Sequence, residues 1–489
     1  MKRLVSILPV LLLAAHVALA QPNAQAVEAG LAALRKEAAL KGAAWGFMAR
    51  DVQGNVIAQY NADTRLVPAS NLKLVTTGAA LHAFGPDYRF KTQLGYTGTV
   101  QDGTLEGDLY IIGGGDPTIG AKDSIALQAD ALFWKWKTLL RQVGIERIHG
   151  RIIGDGTAWE GNLEHESWSY NDVGTYYGTG VDALCFYQNV VDLAVSAGAE
   201  GAPVNMRQTY PDTPWIHLEN HAFTGPAGTG NSLYLYTTDL APYAQLRGSF
   251  ATDRKPKTEH FSNKYGALTC AYYFWKNLRD TGWEVTGGYA SVNRSGAIVG
   301  PDFVPAGKAG QPVVVGFTES PALSRIVRLA NVRSDNFYAE TCLRAMGEAA
   351  SGIAVYDSCL VAISQVLEDL GLPQDGLCQA DGSGLSRENN LSAAWMVDFL
   401  NAMQKSPAFP AFLSSLPHPG EGTLAGSRLS PSRYCFKSGS MGGVLCYSGY
   451  VLDAQGQPVV SFSLLTNNAI APRSRVRAAL ERLLGLLGE

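Results

Sequence analysis

Three short polar motifs, far apart in the chain, constrain its fold most: Ser70-Asn71-Leu72-Lys73, Ser334-Asp335-Asn336 and Lys437-Ser438-Gly439. The first is the only Ser-x-x-Lys tetrad and the third the only Lys-(Ser/Thr)-Gly. Three residues on a helix make nearly one turn, so Ser70 and Lys73 share a face and the amine can reach the hydroxyl. A serine hydroxyl becomes a strong nucleophile only beside such a base. Pro68 and the pattern after it predict a helix from near Ser70 to just before Gly85, which puts Ser70 at a helix N-terminus. Ser169-Tyr170-Asn171 and Ser291-Val292-Asn293 also satisfy Ser-x-Asn. Ser334-Asp335-Asn336 is preferred because it falls between two predicted helices, where a loop can turn Ser and Asn into a cleft.

As an ordered set these residues suit acyl transfer. Ser70 attacks a carbonyl, and Lys73 takes the proton if burial and neighbouring positive charge hold it neutral against an ordinary pKa of about 10.4. Ser334 relays a proton to the leaving amine, while Asn336 holds Lys73 and a substrate amide. Lys437 offers positive charge to a substrate carboxylate and Ser438 a hydroxyl. Gly439 lets a substrate backbone approach the strand edge. The backbone N–H groups of Ser70 and Ser440 are the candidates for an oxyanion hole.

The pattern from Gln25 to about Lys41 predicts an amphipathic helix, followed by strands from Trp45 to Arg50 and through Tyr60. Near the other end, Tyr434–Gly439, Gly443–Leu452 and Pro458–Thr466 read as strands, and Arg473–Leu487 as a closing amphipathic helix that packs on them. The two ends are expected to share one antiparallel sheet. Between residues 94 and 311 the texture becomes short alternating strands and Gly-rich turns, with one convincing helix near Asp130–Val143; this reads as a mostly β insertion. Helical patterns return over Leu323–Leu329, Phe337–Ala349 and Tyr356–Leu370.

Met1-Lys2-Arg3, the apolar run Leu4–Ala15 and Ala18-Leu19-Ala20 predict a secretory signal peptide over residues 1–20. No stable membrane anchor is expected. Beyond the leader, 37 basic residues face 43 acidic ones, which argues against general nucleic-acid binding. The seven cysteines include no Cys-x-x-Cys. A tight turn centred between Ser440 and Met441 would set Cys435 opposite Cys446; a disulfide there needs a close non-hydrogen-bonded pair, and two buried free thiols are the preferred reading. Neither a His-Glu-x-x-His zinc motif nor a Gly-x-Ser-x-Gly elbow is present, so no metal or cofactor is implied.

Together with Gly113-Gly114-Gly115-Asp116-Pro117-Thr118, Asp381-Gly382-Ser383-Gly384-Leu385-Ser386-Arg387 and Gly422-Thr423-Leu424, the three motifs make the chain resemble the class C, type-4 low-molecular-mass penicillin-binding proteins. These are D-alanyl-D-alanine carboxypeptidases and endopeptidases. The likeness covers nearly all of the chain beyond the leader, and the 264 residues from Ser70 to Ser334 are similar to that family's long insertion. It implies an α+β fold: a β-lactamase/transpeptidase-like domain with a five-stranded antiparallel sheet, helices on both faces and a helical subdomain. That domain would comprise residues 21–93 and 312–489, with inserted, mostly β domains over 94–311.

The resemblance also implies a periplasmic serine enzyme that acts on peptidoglycan stem peptides, with β-lactam antibiotics as covalent inhibitors. It assigns Asp172 to the side-chain amine of the peptide's diamino acid and sets Met441 in the same pocket. Ser438 departs from the family's usual threonine, keeping the hydroxyl and losing a methyl. A β-lactamase would need a carboxylate and water for deacylation, and no Glu-x-x-Asn element lies between Ser334 and Lys437. A noncatalytic wall-binding scaffold would not need Ser70, Lys73, Ser334 and Lys437 together.

Overall fold

The structure, a computed structural model, describes residues 23–489; the expected signal peptide lies outside the described residues. Both chain ends build one five-stranded antiparallel sheet from β1 (Ala44–Asp51), β2 (Val56–Tyr60), β3 (Tyr434–Met441), β4 (Val444–Leu452) and β5 (Pro458–Asn467). Its order is β2-β1-β5-β4-β3, with Ala44 opposite Asn467 and Asp51 opposite Val460. The expected strands lie within one or two residues of the observed ones, the usual uncertainty of an element's ends.

Six helices frame this sheet and the site: α1 (Ala24–Leu34), α2 (Leu72–Phe84), α3 (Leu323–Arg333), α4 (Asn336–Ser351), α5 (Ala393–Met403) and α6 (Arg473–Gly485). The predicted N-terminal helix ends earlier than its pattern suggests, and Ala38–Leu40 forms a separate 3₁₀ turn. α1 and α6 cover one face: Val27, Leu31, Leu480 and Leu484 pack with Phe47, Phe436, Phe462 and Leu464. On the other face Phe399 and Leu400 of α5 and Leu72 of α2 pack with Met48, Tyr450 and Leu465. A sheet buried on both faces reads as near-continuous apolar sequence rather than alternation; all nine residues of β4 are buried.

The β3–β4 hairpin turns at Gly442-Gly443, two residues later than expected, and Gly443 takes there a positive φ of 78°, which glycine adopts freely at the second central position of a turn. Cys435 therefore pairs with Tyr450 and Cys446 with Gly439. The two thiols are not opposite each other, and both are free and buried.

Between Lys91 and Glu319 the chain forms small sheets and one seven-stranded sheet, entered through Lys91–Tyr96 and left through Val313–Glu319, which pair with each other. Besides the expected helix, observed at Ala129–Gln142, this stretch contains a second at Gly266–Asp280. That helix carries Tyr272-Tyr273-Phe274-Trp275, a run with strand propensity. Burial of Leu268, Ala271, Phe274 and Leu278 at helical spacing overrides it. Among the described residues no single helix is long and apolar enough to cross a membrane.

Candidate active site

Ser70 is held in a 3₁₀ turn, Ala69–Asn71, that runs directly into α2. Asn71 ties this turn to the sheet by donating from Nδ2 to Ser448 Oγ at 2.7 Å. Gly439 lets the turn lie against β3: a Cβ there would meet the Pro68 carbonyl oxygen at 2.3 Å and Asn71 N at 2.9 Å. This corrects the expected reason for the glycine, whose bare face receives the turn bearing the nucleophile.

Lys73 is fully buried, with Nζ 3.1 Å from Ser70 Oγ. The same nitrogen donates to Asn336 Oδ1 at 2.6 Å and to the Ser383 carbonyl at 2.7 Å. A neutral amine has two hydrogens and one lone pair. With both hydrogens taken by these acceptors, the lone pair is left for the Ser70 hydroxyl. Burial lowers the Lys73 pKa from 10.5 to about 8, against the opposing pull of Asp381, Glu340 and Asp335. Burial is the main cause of the lowering, and the expected positive neighbour is Lys437, whose mutual repulsion with Lys73 acts in the same direction. The shift raises the neutral fraction at pH 7 from roughly one in 3000 to roughly one in ten.

Two buried carboxylates build the loop that supplies the Ser383 carbonyl. Glu340 accepts from the N–H groups of Gly382 (3.1 Å) and Ser383 (2.7 Å), and Asp381 from those of Gly384 (2.7 Å) and Ser386 (2.6 Å). Burial raises the Glu340 pKa to about 7, with Asp381 adding to the rise. The opening Asp-Gly-Ser-Gly of this segment is thus a scaffold that packs a carbonyl onto Lys73.

Ser334 ends α3 in a left-handed conformation, φ 61° and ψ 41°, and Asp335 caps α4 by accepting from Tyr338 N at 3.0 Å. This sharp reversal turns Ser334 and Asn336 towards the same space. Lys437 is fully buried and donates to Ser334 Oγ (2.9 Å) and to the Ser438 carbonyl (2.8 Å). Burial, with a contribution from Lys73, pushes its pKa well below the usual lysine value. Ser438 Oγ donates to Thr423 Oγ1 at 2.8 Å. β3 is an edge strand, and Met441 and Val444 flank its two-residue hairpin as a hydrogen-bonded pair, so the N–H of Ser440 faces off the sheet edge.

These side chains open onto a cleft of about 850 Å³ lined by Ser70, Ser334, Asn336, Ser438, Ser440 and Met441. The inserted segment closes one wall with Asp172, whose Oδ1 accepts from the Tyr177 hydroxyl at 3.0 Å. The Tyr177 carbonyl accepts from Asn336 Nδ2 at 2.8 Å, a partner the sequence did not announce. Sequence reasoning also missed Glu340, a lone buried acid on a helix, and Arg473 and Arg477, which line the cleft from the closing helix. Neither arginine is in an ion pair among the described residues.

A profile of the D-Ala-D-Ala carboxypeptidase 3 (S13) family matches residues 27–485. The chain belongs to that family. It is a serine D,D-peptidase, the activity that the resemblance implied. It is similar to the D-alanyl-D-alanine carboxypeptidase of Actinomadura sp. (strain R39), 29% identical over 493 residues that cover 96% of this chain and 86% of the relative. D-alanyl-D-alanine carboxypeptidase DacB of Haemophilus influenzae is 25% identical, over 85% of this chain and 83% of its own length. The crystal structure of penicillin binding protein 4 (dacB) from Haemophilus influenzae superposes with a TM-score of 0.78 at 22% identity, covering 96% of this chain and 99% of that one. The same β-lactamase/transpeptidase-type fold, with its additional sheets, is present here.

Two outcomes follow from this geometry. Because only the neutral amine can accept a proton, kcat/KM should rise with pH through the Lys73 pKa of about 8 and level off above it, as a pH–rate profile would show. Gly439→Ala should force the Ser70 turn off β3 and slow acylation about 100-fold, the scale of a 1 Å misplacement, while far-UV circular dichroism stays unchanged.

Proposed function

We propose that Ser70 forms the acyl-enzyme with peptidoglycan stem peptides, cutting after a D-alanine either at the peptide's end or at a cross-link, and that β-lactams trap the same serine. The free lone pair of Lys73 facing Ser70 Oγ carries this reading. Lys73 takes the Ser70 proton as Oγ attacks the carbonyl carbon. Ser334, fixed by Lys437, passes a proton to the leaving amine. The N–H groups of Ser70 and Ser440 receive the oxyanion.

Substrate backbone adds along the β3 edge, and Asn336 and Gly439 hold the base and the nucleophile rather than the substrate. Ser438 meets the substrate's carboxylate. Lys437 is already committed to Ser334 and the Ser438 carbonyl, so the unpaired Arg473 and Arg477 supply positive charge on that side of the cleft. Asp172 and Met441, both on the cleft wall, are assigned to the diamino-acid residue.

A β-lactamase reading is less well supported, because Glu340 and Asp381, the buried carboxylates near Lys73, each accept from backbone N–H groups and so shape the loop behind Ser383. A wall peptide is met outside the cytoplasmic membrane, which supports the periplasmic location implied by the expected signal peptide. The test is to mix the purified protein with a fluorescent penicillin and with diacetyl-Lys-D-Ala-D-Ala. Lasting labelling and D-alanine release are expected, both lost in Ser70→Ala. Rapid penicillin turnover without an adduct would contradict the peptidase reading.

A further inference from the structure

We propose that a tyrosine platform beside the cleft, made by the exposed Tyr170 and the half-buried Tyr236 and Tyr234, binds the glycan strand from which the stem peptide hangs. This rests on the stem-peptide reading above.

The segment carrying Asp172 is pinned to the catalytic machinery at three points. Ser167 Oγ is 2.6 Å from Ser386 Oγ, Trp168 Nε1 donates to Asp381 Oδ2 at 2.9 Å, and the Tyr177 carbonyl accepts from Asn336. Tyr170 lies between these anchors with 68% of its surface exposed. Its ring stacks on Tyr236 at 5.0 Å and 28°, and Tyr236 meets Tyr234 at 4.8 Å. Strand alternation explains the pair: Leu235 is buried in the core of the inserted unit, so Tyr234 and Tyr236 face outward. Gly174 lies so close to this strand that a Cβ would meet the Leu235 carbonyl at 1.6 Å, which fixes the platform to the cleft wall.

Polar groups border the rings. The Arg247 guanidinium sits 5.0 Å over Tyr236 and donates through Nε to Gln245 Oε1 at 3.0 Å, and Gln245 donates to the Tyr243 hydroxyl at 2.6 Å. Aromatic faces beside guanidinium, amide and phenol groups suit a pyranose, whose C–H face stacks on the rings while its hydroxyl and acetamido groups take hydrogen bonds. The position selects this occupant. A stem peptide is joined to sugar at its N-terminal end, so that end must leave the cleft. Tyr170 is two residues from Asp172, at most about 7 Å of extended chain, and so stands at the exit on the diamino-acid side.

The test compares the parent with Tyr170→Ala/Tyr236→Ala on two substrates, the soluble diacetyl tripeptide and a disaccharide-linked pentapeptide, and measures co-sedimentation with peptide-free glycan strands. The variant should keep tripeptide turnover within about twofold, lose at least tenfold in kcat/KM on the disaccharide substrate through KM, and no longer sediment with glycan. Tyr170→Trp/Tyr236→Trp should retain binding. Equal losses on both substrates, no loss on either, or loss of a dimer instead of glycan binding would overturn the proposal. Should the parent cut neither substrate, the stem-peptide reading falls, and co-sedimentation still decides the platform.

Discussion

A buried amine with both hydrogens spoken for is the interaction on which the rest of this structure depends. Lys73 can act as a base only if it is neutral and its lone pair points at Ser70: burial favours the neutral amine, and two acceptors, Asn336 Oδ1 and the Ser383 carbonyl, aim the lone pair. Much of the architecture serves those two contacts. Glu340 and Asp381 gather four backbone N–H groups to shape the loop behind Ser383, at the cost of burying two carboxylates. The reversal at Ser334 brings Asn336 to the amine, and Gly439 lets the Ser70 turn seat against β3.

The inserted segment takes part in this constraint. Besides Tyr177 on Asn336 and Trp168 on Asp381, Gln188 donates to Asp335 Oδ2 at 2.8 Å, and Asp123 accepts from both Arg333 and Tyr338. Those contacts bracket the middle motif on both sides. A chain that splits its catalytic sheet between its two ends thus has the intervening hundreds of residues hold the Ser334–Asn336 loop.

The sheet, its closing helices and the three motifs were legible because each is local: alternation or long apolar runs for β1 to β5, helical periodicity for α1 and α6, and residue type at fixed spacing for the motifs. What stayed hidden depends on the third dimension. The turn at Gly442-Gly443 was misplaced because Gly439 and the two turn glycines look alike in sequence, and only the pairing tells which one bends the chain. The Gly266–Asp280 helix was hidden by aromatic strand formers whose burial decides otherwise. Glu340 and the Tyr177 carbonyl carry no motif; a single helical acid and a backbone oxygen announce nothing until they are folded against Lys73. The source of the lowered lysine pKa, burial against acidic neighbours, likewise needed the packed structure.

The most direct measurement is a titration of the Lys73 side chain itself, by nitrogen-detected or carbon-detected NMR of selectively labelled lysine in the free protein, assigned with Lys73→Arg. A midpoint near 8 is expected from its burial. A midpoint near 10.4, that of an ordinary lysine, would leave only about one amine in 2500 neutral at pH 7, against about one in ten at a midpoint of 8, and would contradict its role as the base.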